Sequence, residues 1–215
     1  EFQAMSVIKF IQEGGFFMYP ILLVLFLGMG IVIERALYLT KVVSSNKAVW
    51  NDVFPLLSKG QLKPALDKVK DNDAAIARIL TNGLTRGLSA RRVEDVETAM
   101  EEGLMEVMPR LEARTSYVAT FANIATLLGL TGTVQGLISA FDAVANADPA
   151  IKGDLLSSSI SVAMNTTLFG LVVAIPLLLA FSFLQNKTNS VVESLEMASI
   201  KFLNVLRQLS VTKPE

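Results

Sequence analysis

The chain has 215 residues, of which 52% are hydrophobic and only 18% charged, and its mean hydropathy is +0.49. These values predict a membrane protein rather than a soluble enzyme. The formal net charge of -1 gives no basic field for nucleic acid, and the lack of cysteine and histidine excludes disulfides, thiolate sites and histidine proton carriers. With no P-loop lysine and no nucleophile–base set either, we expect no enzyme, no resident cofactor and no nucleic-acid partner.

The amino-terminal part predicts an interfacial segment, a first membrane span and a helical domain. Residues 1–13 carry closely spaced apolar side chains and are expected to lie as an amphipathic segment at the outer face. Residues 14–40 contain an uncharged run of about 20 residues, the length that crosses a bilayer core. Residues 41–114 are predicted to form a cytoplasmic helical domain, in which Gly60 caps one helix and Pro64 starts the next.

Two further spans follow. The second membrane helix is predicted at residues 115–144 and the third at 155–186, with an outer loop at 145–154 between them. Residues 187–215 are predicted to form a cytoplasmic tail. From about Ser89 to Val144 the sequence has only Pro109 and scattered glycines as breakers, so one long helix is expected to run into the second span. The third span is also predicted to extend into a long helix. The predicted fold is therefore all-α.

The distribution of basic residues predicts the orientation of the spans. Residues 34–114 hold 13 of the 19 Lys and Arg residues, whereas residues 142–154 hold one lysine and three aspartates. Lys and Arg accumulate on the cytoplasmic side of membranes. We therefore expect a periplasmic amino terminus and a cytoplasmic carboxyl terminus.

The second span contains the string "LLGLTGTVQGLISAF", in which small residues recur at helical spacing. Gly129, Gly132 and Gly136 fall on one stripe, and small residues in such a stripe let another membrane helix approach closely. Thr133 lies at the edge of this stripe. The glycines therefore predict helix packing, and the threonine is a candidate for a second role.

The third span begins with an unusually polar stretch. Its members are Ser157, Ser158, Ser159, Ser161, Asn165, Thr166 and Thr167. These side chains occupy several helix faces, so they cannot all face lipid, and together with Thr133 they indicate a hydrated polar path. The alternative is that each hydroxyl bonds to the carbonyl four residues earlier and only aids packing. No span contains Asp or Glu, so if ions pass, another polypeptide supplies the acid.

The strings "ATLLGLTGTVQGLISAF" and "GLVVAIPLLLAF" closely resemble the MotA/TolQ/ExbB family, in its three-span ExbB and TolQ branch. The resemblance implies a bacterial inner-membrane homopentamer around two copies of a single-span partner of ExbD, TolR or MotB type, each with a membrane aspartate. It implies ion flow that drives mechanical work in the cell envelope. Carried over to this chain, Thr133 and Thr167 lie beside the partner aspartate.

One departure from the ExbB and TolQ pattern concerns the ion. Those proteins usually have a glutamate five residues before the third-span threonine, whereas this chain has Val162, and "AMNTTLFG" looks like the corresponding helix of motility stators. Neutral oxygens of Thr133, Asn165, Thr166 and Thr167, the predicted ion pathway, suit Na⁺ or an ordered water chain for H⁺. Both ions remain open, as does a scaffold that conducts nothing.

Overall fold

The structure is a computed structural model that describes residues 2–89 and 92–211, with side chains described for residues 6–89 and 92–209. Within these residues it contains seven α-helices and no strand. They are α1 (Phe2–Glu13), α2 (Met18–Ser58), α3 (Leu62–Val69), α4 (Ala75–Gly87), α5 (Val93–Glu112), α6 (Thr115–Ala145) and α7 (Lys152–Val211). The all-α prediction is confirmed.

Three helical stretches are long and apolar enough to cross a membrane, as predicted. They are Met18–Ser58, Val93–Ala145 and Lys152–Leu209. α2 continues well past residue 40, and α7 begins at Lys152 rather than 155 and is one helix of 60 residues. The described part of the predicted tail is therefore the end of α7.

The chain divides into two compact units. The first comprises Glu1–Glu34 and Arg114–Phe183, and the second comprises Arg35–Ala113 and Leu184–Glu215. The second unit has its own hydrophobic core, in which Leu57, Leu80, Met100 and Phe202 are almost fully buried. Burying side chains of this size gives this unit its stability.

The predicted glycine cap at the end of α2 is confirmed. Gly60 has a φ of 71°, a left-handed conformation that glycine adopts without a steric cost. Its N–H donates to the Leu57 carbonyl and the Gln61 N–H donates to the Leu56 carbonyl, both at 2.9 Å. This is the bonding pattern of a Schellman motif. Pro64 then lies in the first turn of α3, also as predicted.

The prediction of one continuous helix from about Ser89 to Val144 is wrong. α5 begins only at Val93 and ends at Glu112, and α6 begins at Thr115. Between them Ala113 has an extended ψ of 136° and Arg114 is left-handed, with a φ of 61°. Ser89 does not start a helix, because its hydroxyl donates back towards the Thr85 and Arg86 carbonyls at the end of α4.

A buried arginine accounts for the end of α5. Arg35 of α2 is 1% exposed, and its Nη2 donates to the Arg110 carbonyl at 3.1 Å and to the Leu111 carbonyl. Its guanidinium also lies 4.6 Å from the centre of the Tyr38 ring. Carbonyls at a helix end have no partner within the helix and carry partial negative charge, so a cation stabilises them. Sequence periodicity contains no information about this contact.

Arg35→Met should therefore destabilise the second unit. The change leaves two carbonyls without their charged donor, and we expect a loss of about 3 kcal/mol. The readout is the apparent unfolding midpoint in detergent, followed by circular dichroism. The matched control is Arg78→Met, which removes only an exposed pair with Asp73 at 3.5 Å and should cost less than about 1 kcal/mol. Equal shifts in the two variants would contradict this role of Arg35.

Candidate functional site

The candidate site lies where α6 and α7 of the first unit touch backbone to backbone. A Cβ atom placed on Gly129 would lie 3.2 Å from Gly170 Cα and 3.2 Å from the Thr166 carbonyl oxygen. A Cβ on Gly170 would lie 2.6 Å from the Ala125 carbonyl oxygen, well inside van der Waals contact. Backbone atoms cannot rotate away as a side chain can. Only glycine therefore permits this approach of the two helices.

The other two glycines of the predicted stripe also face α7. A Cβ on Gly136 would lie 2.7 Å from Ala163 Cβ, and a Cβ on Gly132 would collide with the Thr166 methyl group. Gly132 also faces Phe17 Cβ, at 3.2 Å from the same added atom. The structure thus places Gly129, Gly132 and Gly136 against α7, where the small-residue stripe lets the helices pack.

This close approach brings Thr133 and Thr167 together. Their hydroxyl groups form a hydrogen bond with each other. Thr167 Oγ1 also lies 3.1 Å from the Gly129 carbonyl, and Thr133 Oγ1 lies 3.2 Å from the Gly129 carbonyl and 3.1 Å from the Ala163 carbonyl. The pair therefore crosses the interface between α6 and α7. Both threonines are half-buried, so the protomer leaves part of the pair accessible.

The protons and lone pairs of the two hydroxyls determine what the pair can still bind. Each hydroxyl has one proton to donate and two lone pairs that accept. One of the two protons forms the bond within the pair, and the backbone carbonyls, which can only accept, take the other. Inside the pair at most one lone pair is used. Thr133 and Thr167 can therefore accept hydrogen bonds from water or a protonated carboxyl group, or contribute oxygen ligands to a cation.

Thr166 and Asn165 occupy other faces of α7. Thr166 is 2% exposed, and its hydroxyl lies 2.7 Å from the Gly14 carbonyl and 3.1 Å from the Val162 carbonyl. Asn165 is half-buried. Successive helical residues are rotated by about 100°, so Asn165 lies about 200° from Thr167. The structure brings together two of the four predicted pathway residues, Thr133 and Thr167, and ties Thr166 to the turn between α1 and α2.

Val162 stands beside that same turn. Gly15 has a φ of 85°, and a Cβ on it would lie 3.7 Å from Val162 Cγ1. Val162 is 37% exposed. An apolar side chain therefore occupies the position at which the resemblance leads one to expect a glutamate.

Two contributors to this site lie outside the residues predicted from the sequence. Gly170 supplies the α7 side of the closest contact, and the Gly14 carbonyl accepts from Thr166. A glycine in the middle of an apolar span is a recognisable signal for close helix packing, so Gly170 could have been found. The Gly14 carbonyl has no sequence signal, because its role comes from tertiary packing.

Comparison with known proteins agrees with this architecture. Residues 71–197 match the MotA/TolQ/ExbB proton channel family, so more than half of the chain is covered and the chain belongs to that family. The prediction from the two sequence strings is confirmed.

Relatives from several organisms show the same relationship. The chain is 28% identical to an ExbB homolog of Methanothermobacter thermautotrophicus, over 89% of this chain and 67% of that protein. It is 30% identical to an ExbB-like protein of Synechocystis sp., over 78% of this chain and 80% of that protein. It is 24% identical to the Tol-Pal system protein TolQ of Haemophilus influenzae, over 85% and 84% of the two chains.

A solved structure supports the fold. The flagellar MotAB stator complex from Bacillus subtilis contains a chain that superposes with a TM-score of 0.51 at 21% sequence identity, covering 83% of this chain and 77% of that one. Together with three membrane-length stretches, family membership indicates a multi-pass protein of the inner membrane and a subunit of the channel and motor type.

Gly170→Ala should weaken the α6–α7 contact. The added methyl group meets the Ala125 carbonyl, and such overpacking costs about 2 kcal/mol. We expect a lower apparent unfolding midpoint in detergent. Gly30→Ala is the matched control, since a Cβ on Gly30 meets nothing within 4 Å and alanine favours a helix. A Gly170→Ala midpoint equal to that of Gly30→Ala would show that the backbone contact is not close.

Proposed function

We propose that this chain is the ion-conducting subunit of an ion-driven motor that converts an H⁺ or Na⁺ gradient into mechanical work across the cell envelope. It does so with a single-span partner of ExbD, TolR or MotB type. The observation that carries the proposal is the hydroxyl pair Thr133 and Thr167, held at a glycine contact between two membrane-length helices. Family membership supports the same function.

The chemistry of the pair suits ion transfer to and from a carboxylate. The uncharged cores of the three spans contain no Asp or Glu, so the titratable group comes from the partner, as a membrane aspartate. A hydroxyl next to that carboxylate orders water, accepts a hydrogen bond from the protonated carboxyl group or provides a neutral oxygen ligand to Na⁺. One charge that crosses 100 mV releases about 2.3 kcal/mol, which is enough energy to drive a conformational step.

The assembly that we propose is a homopentamer around two copies of the partner, embedded in lipid. Its protomers have a periplasmic amino terminus, an outer loop between α6 and α7 and a cytoplasmic carboxyl terminus. The concentration of basic residues in 34–114 supports this orientation. The half-exposed side of the Thr133–Thr167 pair then faces the partner, and Thr166 anchors α7 to the α1–α2 turn instead of contacting the ion.

A scaffold without conduction is the second candidate, and the hydrogen bonds of the spans support it. Thr126, Thr131 and Thr133 each lie within 3.2 Å of the carbonyl four residues earlier, which is the pattern of threonines that only pack. Thr133 differs from the other two because its hydroxyl also reaches α7. Conduction and packing therefore predict different outcomes for variants at these positions.

Thr133→Val and Thr167→Val should each lower ion flux at least about tenfold while the oligomer still assembles, since valine keeps the volume and removes the oxygen. Flux is measured in vesicles that contain the chain with its partner, under a pH gradient without Na⁺ and then under a Na⁺ gradient. Thr131→Val is the matched control, because Thr131 is exposed and, among the described residues, its hydroxyl bonds only to the Leu127 carbonyl on the same helix. Wild-type flux in Thr133→Val and Thr167→Val would contradict the role of the hydroxyl pair, and a wild-type assembly whose flux does not exceed that of vesicles with the partner alone would support the scaffold.

A further inference from the structure

The second unit contains a cavity that one copy of the chain does not fill. It has a volume of about 310 Å³ and lies between α2, the start of α4 and the last third of α7. Its lining includes Asn46 and Lys47 of α2, Ile76 of α4, and Met197 and Lys201 of α7. We call this the Asn46 cavity.

Asn46 supplies an unused hydrogen-bond donor at this cavity. Its side chain is 6% exposed, and its Oδ1 accepts from the Ile76 N–H at 3.1 Å. Because only the oxygen can accept, this bond fixes the orientation of the amide and directs Nδ2 elsewhere. Among the described residues Nδ2 has no hydrogen-bond partner, although it is buried. Leaving such a donor unpaired is destabilising, so an acceptor in the assembled protein would be stabilising.

The charges at the cavity indicate which kind of group would accept a hydrogen bond from Asn46 Nδ2. Lys47 and Lys201 line it and are exposed. Within the part of the chain that the structure describes, neither lysine forms an ion pair. An amide donor and two lysines that line one cavity favour an oxygen that carries negative charge.

The same unit carries an acidic groove with the complementary groups. The groove has a volume of about 300 Å³, and its lining includes Glu97 and Glu101 of α5 and Glu196 and Ile200 of α7. Glu97 pairs with Arg207 at 3.4 Å. Over the described residues, Glu101 and Glu196 have no such pair, and both are exposed. Two carboxylates are thus available to a neighbour.

The two surfaces lie on opposite sides of α7 at nearly the same level. α7 contributes positions 194, 197, 198 and 201 to the Asn46 cavity and positions 196, 199, 200 and 203 to the acidic groove. The second set is the first set shifted by two residues. Two residues rotate a helix by about 200° and advance it by about 3 Å. A head-to-tail contact around a closed ring uses two different surfaces of each copy, at one level along the ring axis.

We propose that the acidic groove of one copy of the chain docks on the Asn46 cavity of the next copy and places a glutamate carboxylate against Asn46 Nδ2, Lys47 and Lys201. The exposed apolar side chains Met197 and Ile200, which border the two surfaces, are covered in the same contact. This inference rests on the homo-oligomer of the proposed function and identifies the surfaces that hold it together.

An isosteric change at Asn46 tests the contact. Asn46→Asp keeps the oxygen that accepts from Ile76 and replaces the free donor by a second acceptor, which repels a carboxylate. We expect the dissociation constant of the full-length oligomer to rise at least about tenfold, measured by native mass spectrometry over a dilution series in detergent. Asn72→Asp is the matched control: Asn72 Oδ1 also accepts a backbone N–H, from Ala74 at 2.9 Å, but the residue is exposed.

Rescue separates docking from misfolding. Adding Glu101→Gln and Glu196→Gln to Asn46→Asp supplies amide donors to the new carboxylate and should restore assembly. Failure to rescue, or an unchanged dissociation constant in Asn46→Asp, overturns the proposal. So does a loss of bound anionic phospholipid from Asn46→Asp without a change in subunit number, because the cavity would then hold a lipid headgroup.

Cysteine cross-linking gives a second readout that does not depend on stability. The chain has no native cysteine, so Lys47→Cys combined with Glu101→Cys should form a ladder of covalent multimers on oxidation. Lys63→Cys with Glu101→Cys is the control, because Lys63 lies outside the cavity, and it should remain monomeric. Monomers from both pairs contradict the docking. A ladder in a chain that shows no ion flux with its partner supports the docking and overturns the proposed function alone.

Discussion

The backbone contact between Gly129 and Gly170 is the constraint on which the site depends. α6 and α7 have glycines where they cross. They approach so closely that a Cβ on either glycine would contact the backbone of the other helix. This distance brings the Thr133 and Thr167 hydroxyls into one hydrogen-bonded pair across the interface. Membrane helices lack a hydrophobic force between them, so small residues and interhelical hydrogen bonds replace it. The same features that pack α6 against α7 therefore also fix the geometry of the polar pair.

The second unit depends on different forces. Its core is apolar, and the buried Arg35 guanidinium holds the carbonyls at the end of α5. Because α5 ends there, Arg114 takes a left-handed conformation and α6 starts as a separate helix. Among its described residues the unit also has polar groups without a hydrogen-bond or ion-pair partner: the buried Asn46 amide donor and two exposed lysines on one side of α7, and the Glu101 and Glu196 carboxylates on the other. In this account they are the contacts of the ring, whereas the threonine pair is the contact with the partner.

Several features followed directly from local chemistry. Uncharged runs of bilayer length predicted the three spans, Gly60 predicted the end of α2, and the glycine spacing predicted a packing face on α6. Other features needed tertiary contacts. The helix break at Ala113 and Arg114 follows from an arginine some 75 residues earlier, and the position of Thr166 follows from the Gly14 carbonyl. Periodicity describes one helix at a time, so it cannot show which residue of another element satisfies a carbonyl or hydroxyl.

The central claim is that the Thr133–Thr167 pair contacts a carboxylate from another chain. The most direct measurement is the separation between the partner's membrane aspartate and the two hydroxyl oxygens in the assembled complex, determined by electron cryomicroscopy in a lipid environment. The account predicts a separation of about 3 Å, or about 5–6 Å with one bridging water, in at least one protomer of the ring. Acyl chains against both hydroxyls in every protomer, with the aspartate remote from them, would contradict it.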